Sequence, residues 1–181
     1  MILKADNKLT LELTAQRHAD ALFQSVDKNR KHLSTFLPWV GDMNSVSDFN
    51  AYIKNCEQLY EEKKELSFVI ISDKNTVGRI GLNNINLQNK NASIGYWLTK
   101  DAEGKGIITR SCKKLVTVGF KQLGMHRIEI RAAVNNLRSR AIPQKLNFRE
   151  EGILREAELV NGTFLDLVLY SMLSEEWKEL Q

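Results

Sequence analysis

The chain has 181 residues, with 26 lysines and arginines against 22 aspartates and glutamates, a formal net charge of +4. That length suits a single domain over residues 1–181 with its own core, and 43% hydrophobic residues with only two prolines and ten glycines exclude a disordered or low-complexity chain. The first ten residues carry isolated lysines and no apolar stretch, and no apolar run approaches the ~20 residues that span a bilayer. The expectation is a soluble, cytoplasmic protein with no membrane partner. Cys56 and Cys112 form no CxxC pattern and the three histidines are scattered, so neither a disulfide framework nor a metal site is expected.

Residues 8–13 alternate like an opening strand, and Thr14 is placed to cap a helix running to about residue 28. Phe36-Leu37-Pro38-Trp39 reads as an apolar turn. Ser45 or Ser47 is a candidate cap for a helix reaching residue 64, with Phe49, Ile53, Cys56 and Tyr60 on one face. Strands follow at residues 66–72, 77–85 and 93–98, the first pair joined by a turn at Asp73-Lys74-Asn75-Thr76. A helix over about 106–121 presents Ile108, Cys112, Leu115, Val116 and Gly119 on one side. Residues 126–134 alternate as a strand, residues 137–146 suit a short helix, and 151–160 with 163–173 suit a hairpin turned at Asn161-Gly162. The order β-α-α-β-β-β-α-β-α-β-β predicts an α+β domain whose mixed sheet carries helices on its faces.

Asp101-Ala102-Glu103-Gly104-Lys105-Gly106-Ile107-Ile108-Thr109 joins a strand to a helix. Its glycines let backbone approach a ligand closely, and the unpaired N–H groups of a helix start attract anions. From Gly104 through Lys121 there are basic residues and no acid, so Lys105 opposes the helix dipole until an anion such as a phosphate arrives. A tight turn before a solvated basic helix explains the same residues. The spacing is neither a Walker A loop nor a dinucleotide-binding GxGxxG.

A second region, Asn135-Asn136-Leu137-Arg138-Ser139-Arg140-Ala141-Ile142-Pro143-Gln144-Lys145-Leu146-Asn147-Phe148, follows the alternating strand. Taken with residues 103–109, it resembles the GNAT acetyltransferase pattern, a [QR]xxGx[GA] loop followed after one strand by NxxSxxxxxKLGF. Phe36-Leu37-Pro38-Trp39, Tyr96-Trp97-Leu98 and the ending Asn161-Gly162, Asp166, Tyr170-Ser171, Glu176-Trp177 are similar to the RimJ/RimL-type branch, which acetylates the N-termini of ribosomal proteins. The resemblance implies a mostly antiparallel sheet of about seven strands, splayed between the fourth (93–98) and the fifth (126–134). It implies direct transfer from acetyl-CoA to an amine, most plainly a protein N-terminus, with a homodimer left open. Pantetheine would meet the backbone of Trp97, Leu98 and Thr99 and the side chain of Asn136. Residues Glu103, Gly104, Lys105, Gly106, Ile107, Ile108 and Thr109 would hold the pyrophosphate, chiefly through amides from Gly104 onward. Ser139 would sit at the CoA sulfur and hydrogen-bond the departing thiolate, and Glu158 would serve as general base through water.

The match has departures. Glu103 stands where the family has Gln or Arg, Ile108 where it has Gly or Ala, and Asn147 where KLGF has glycine. Glu150, Glu151 and Glu156 compete with Glu158 for the base. Pro143, lacking an N–H, leaves the Ser139 carbonyl without its helical donor. Three other functions compete: a small-amine acetyltransferase, for which Glu57, Glu61, Glu62 and Glu65 could line a polyamine site, a basic nucleic-acid-binding module, and a CoA-binding protein without catalysis. The nucleic-acid module is disfavoured, because the basic helix carries only Phe120 as an aromatic.

Overall fold

The computed structural model describes residues 1–179. Its centre is one mixed sheet in the order β1-β2-β3-β4-β5-β6-β8-β7. The strands are β1 (Ile2–Lys4), β2 (Leu9–Leu13), β3 (Leu66–Ser72), β4 (Asn75–Asn86), β5 (Asn91–Leu98), β6 (Arg127–Ala133), β7 (Arg149–Val160) and β8 (Thr163–Leu173). Among the described residues only β5 and β6 pair in parallel. The sheet has eight strands rather than seven because the short Ile2–Lys4 folds back on β2, Leu3 opposite Leu11. Three residues with one half-buried position are too few to show a period.

Period-two alternation decides what each face buries. Phe68, Ile70, Ile80, Leu82, Ile94, Ile128 and Ile130 point into the larger cluster, beneath helix α4 (Ile107–Lys121). Val69, Ile71 and Trp97 point the other way, into a smaller cluster with α1 (Ala19–Asp27) and α3 (Val46–Glu61). Helix α4 lies unusually close to the sheet at Gly119, where a Cβ would fall 2.7 Å from Ile128 Cδ1. Trp177 of the last helix, α6 (Ser174–Glu179) after the short α2 (Arg30–Leu33) and α5 (Leu137–Lys145), is buried and donates its indole N–H to Thr117 Oγ1 at 3.3 Å.

Of the two candidate serines, Ser45 caps α3: its side chain accepts from the Asp48 N–H while Asp48 Oδ2 accepts from the Ser45 N–H at 2.8 Å. Phe49, Ile53 and Cys56 are buried, but Tyr60 is exposed because α3 runs past the edge of the core there. Thr14 does not cap a helix. Its N–H donates to the Ser67 carbonyl, continuing the pairing of β2 with β3, and the helical segment instead begins with a 3-10 turn at Gln16–His18 preceded by Ala15. Asn161 and Gly162 turn the final hairpin with φ of 49° and 78°, the double left-handed turn that Asn-Gly favours.

Candidate active site

Strands β5 and β6 pair only from Asn91–Arg127 to Ile94–Ile130. Beyond Ile94, β5 continues to Leu98 beside β4, while β6 continues to Ala133 beside β8. The sheet therefore opens a gap whose walls are two strand edges with unpaired backbone groups. The two motifs proposed to bind the cofactor lie at that open end. The glycine loop and α4 follow β5, and Asn136 with Ser139 begin α5 just after β6.

On the β5 wall, Thr99 commits its N–H to the Val77 carbonyl at 2.8 Å and its carbonyl to the Ala102 N–H at 3.1 Å. Alternation then turns the Trp97 backbone toward β4 as well and leaves Leu98 facing the gap. Of Trp97, Leu98 and Thr99, Leu98 therefore has the backbone suited to pantetheine. The Trp97 indole is buried in the smaller cluster, 6.2 Å from the Trp39 ring, which brings the Phe36-Leu37-Pro38-Trp39 stretch to the end of β5.

The loop after β5 has the shape an anion requires. Gly104 and Gly106 have φ of 75° and 68°, and Gly106 is the left-handed cap of α4. The first helical bond runs from the Arg110 N–H to the Gly106 carbonyl at 3.1 Å, so the N–H groups of Ile107, Ile108 and Thr109 precede it and have no helical acceptor. The first turn holds no acid. Ile107 and Ile108 send their side chains into the core, so Ile108 does not crowd the loop. Lys105 is exposed, and its carbonyl accepts from Arg110 Nη1 at 2.9 Å. The Glu103 carboxylate is already engaged: the Arg138 guanidinium holds one oxygen and His32 Nε2 lies 3.2 Å from the other. Its charge is matched before any phosphate arrives. These residues fit the pyrophosphate of coenzyme A.

On the β6 side, Asn136 caps α5. Its Oδ1 accepts from the Ser139 N–H at 3.1 Å, which leaves its side-chain NH2 to hydrogen-bond a ligand. Ser139 Oγ donates to Tyr96 Oη at 3.2 Å. Asn147 adopts φ 57° as the helix ends, the left-handed conformation that asparagine tolerates in place of glycine.

The four glutamates of β7 separate on their partners. Glu150 lies 3.6 Å from Arg140, and Glu151 is held by Arg127 and Ser171. The Arg127 guanidinium, helped by the Ser171 hydroxyl, pulls the Glu151 carboxyl down to about 2, so it is a poor proton acceptor. Glu156 is exposed with a left-handed φ of 49°. Glu158 is half-buried, has no hydrogen-bond or ion-pair partner among the described residues, and burial raises its carboxyl above the ordinary range. It pairs with Leu165 on β8, two residues beyond the Leu167 that faces the last residue of β6. That register carries it past the end of β6, to the open end of the sheet. The hairpin tip next to it is tied across to the segment after α2 by Asn161 Nδ2 on the Ser34 carbonyl at 2.8 Å.

Among the described residues, other polar groups do not form a competing centre. Glu57 accepts from the Gln16 N–H, Glu62 pairs with Lys64, and Glu65 pairs with the partly buried Arg79, so these acids do not converge on one amine. The cleft lined by Glu62, Lys64, Asn83 and Leu87 lies at the opposite end of β4 and β5. The sequence did not single out the Tyr96 phenol, His32 or Arg138 as members of the site. Pro143 was the available signal for Tyr96, because a carbonyl deprived of its helical donor demands another.

Comparison with known proteins agrees with this geometry. Residues 8–149 match the family described as Acetyltransferase (GNAT) domain. The chain is 35% identical over 176 residues to the putative ribosomal N-acetyltransferase YdaF of Bacillus subtilis, covering 97% of this chain and 96% of that protein. It is 29% identical over 169 residues to the ribosomal-protein-serine acetyltransferase of Escherichia coli, covering 93% and 94%. A solved structure of RimL, a ribosomal L7/L12 alpha-N-protein acetyltransferase in complex with coenzyme A, matches with a TM-score of 0.93 at 27% identity over 97% of this chain and 99% of that one. The chain belongs to the GNAT family of acetyl-CoA-dependent N-acetyltransferases.

Proposed function

We propose that the acceptor is the N-terminal α-amine of a protein, a ribosomal protein by likeness to the relatives above, with Glu158 as its base and Ser139 at the departing sulfur. The observation that carries this is Glu158: an unpartnered, half-buried carboxylate at the end of the sheet where β5 and β6 part. Acetyl-CoA supplies the acyl group as an activated thioester. The chain must hold that group, take a proton from the amine and steady the charge that leaves on sulfur. The amides of residues 107–109 and the Asn136 side chain would bind and orient. Glu158 would accept the amine proton through a water, its raised pKa making it a better base than an ordinary carboxylate. Ser139 would hydrogen-bond the sulfur without giving up its proton, because a thiol near pKa 8.5 is far more acidic than an alcohol.

The acceptor's own acidity favours an α-amine. With a pKa near 7.7–8.0, about a tenth of it is neutral at pH 7, against well under one part in a thousand for lysine near 10.4. Deprotonation therefore costs roughly 1 kcal/mol for the first and more than 4 for the second. One water-relayed carboxylate can meet the smaller demand. Acetyl-CoA turnover, followed by thiol release, tests this with free-N-terminal peptides and with N-blocked peptides carrying an internal lysine. The first set should react and the second should not. Glu158→Gln should lower kcat/KM about a hundredfold at pH 7, with part of the loss recovered above pH 8.5, where the amine arrives neutral. Rapid acetylation of the blocked lysine peptides would remove the N-terminal acceptor. A loss in the Gln variant that does not change with pH would remove Glu158 as base.

A further inference from the structure

Ser139 lies in the first turn of α5, four residues before Pro143. In an unbroken helix its carbonyl would accept from the N–H of residue 143, and proline has none. A half-buried carbonyl in that position needs another donor. Tyr96 of β5 provides it, with Oη 3.0 Å from the Ser139 carbonyl oxygen. The same phenol oxygen is 3.2 Å from Ser139 Oγ. A phenol has one proton, and here the carbonyl takes it, so in the hydroxyl pair the serine donates and the tyrosine accepts. With Asn136 Oδ1 on its N–H, Ser139 is held at its N–H, its carbonyl and its hydroxyl. Two of those bonds join β5 to the helix after β6, across the gap where the strands no longer pair.

We infer that Tyr96 is a positioning residue for acetyl transfer: recruited by the carbonyl that Pro143 frees, its phenol holds Ser139 Oγ in the gap and keeps the serine proton on a weak acceptor until charge develops on the departing sulfur. This rests on the assignment of Ser139 to that sulfur. The 3.2 Å contact is long beside the ~2.7–2.8 Å usual for O–H···O bonds, so the serine gives up little when it turns to an anionic acceptor, which makes the stronger bond. As the C–S bond breaks, its electron pair stays on sulfur. Ser139 lends a hydrogen bond, and no proton leaves either residue. Burial raises the Tyr96 phenol far above the ordinary tyrosine range, so it remains neutral throughout any working pH. Tyr170, the other phenol nearby, is engaged by Arg140 Nε at 3.0 Å and does not substitute. Without the Tyr96 oxygen, a serine in a helix turns its hydroxyl to the carbonyl three or four residues back, here that of Asn136 or Asn135, and away from the gap.

A double-mutant cycle tests the inference. Tyr96→Phe should lower kcat about tenfold, the loss of one neutral hydrogen bond, with KM for acetyl-CoA within about twofold and the CoA-induced rise in Tm preserved. Ser139→Ala should lower kcat at least as much, and the double variant should be no slower than Ser139→Ala alone. Adding Pro143→Ala to Tyr96→Phe returns a helical N–H to the Ser139 carbonyl. Thermal stability should then recover in part while kcat stays low, which a purely structural tyrosine would not do. Multiplicative losses in the cycle, an unchanged kcat in Tyr96→Phe, or recovery of kcat with Pro143→Ala would each overturn the role of Tyr96 while leaving Ser139 in place. An unchanged kcat in Ser139→Ala would instead remove the sulfur assignment, and the role of Tyr96 with it.

Discussion

Gly106 offers the sharpest test of the anion cradle. Its φ of 68° places it in the left-handed region, and a Cβ there would sit 3.0 Å from Arg110 Nη1. That guanidinium donates to the Lys105 carbonyl and pairs with Asp6 at 2.8 Å, tying the loop to the turn between β1 and β2. A side chain at this position costs about 1–2 kcal/mol for the backbone alone, and a β-branched valine also pushes the guanidinium aside. For a chain of this length the backbone cost corresponds to roughly 2–8 °C in Tm. Gly104 is the control, because its φ of 75° carries the same backbone penalty with no atom within 4 Å of a built Cβ. At a hundredfold excess over Kd, CoA stabilises the folded chain by about 2.7 kcal/mol, roughly 5–11 °C. A tenfold weaker affinity at the same concentration leaves about 1.4 kcal/mol, half the shift. Thermal melts with and without CoA should show that halving, or worse, in Gly106→Val, and a smaller loss in Gly104→Ala. If Gly106→Val melts with the full CoA-induced rise, the pyrophosphate does not bind at this helix start.

Two further substitutions test the charges around the site. Glu103→Gln frees Arg138 and His32 from the carboxylate that now matches them, so CoA affinity should rise about two- to fivefold, the scale of a partly exposed charge; titration calorimetry showing weaker binding would mean that the Arg138–Glu103 pair shapes the loop. Glu158 has a raised folded-state pKa, so what it contributes to stability is fully present below the ordinary carboxylate range and is lost as pH rises through the raised value. Glu158→Gln should therefore melt slightly higher than the parent at pH 7, by less than about 1 kcal/mol because the group is still partly in solvent, with the difference closing toward pH 4. A variant that melts lower at neutral pH would contradict the desolvated, unpartnered carboxylate.

Where burial follows a period, the sequence was sufficient. β3 spans residues 66–72 as expected, and Ile108, Cys112, Leu115, Val116 and Gly119 are all buried on α4. The turn at Asn161-Gly162 was equally legible, and the cap of α3 was narrowed to Ser45 or Ser47, since each has one dominant physical reason. The gap between β5 and β6 was not, because periodicity specifies which face a strand buries and says nothing of where two strands part. Its position came from resemblance alone. What separates the β7 glutamates physically was hidden for a related reason. Strict alternation puts Glu156 and Glu158 on the same face of β7. The ladder with β8 shifts register between Leu154 and Glu158, and Glu156 sits inside that irregularity with its N–H on Asp166 Oδ1 at 2.7 Å. The bulge frees Glu158 from the alternation of its neighbours and leaves it partly desolvated without a counter-ion. A left-handed glutamate is not written into any propensity, so in the sequence Glu158 stood apart from its neighbours by resemblance alone, and the difference in their partners emerged only in the fold.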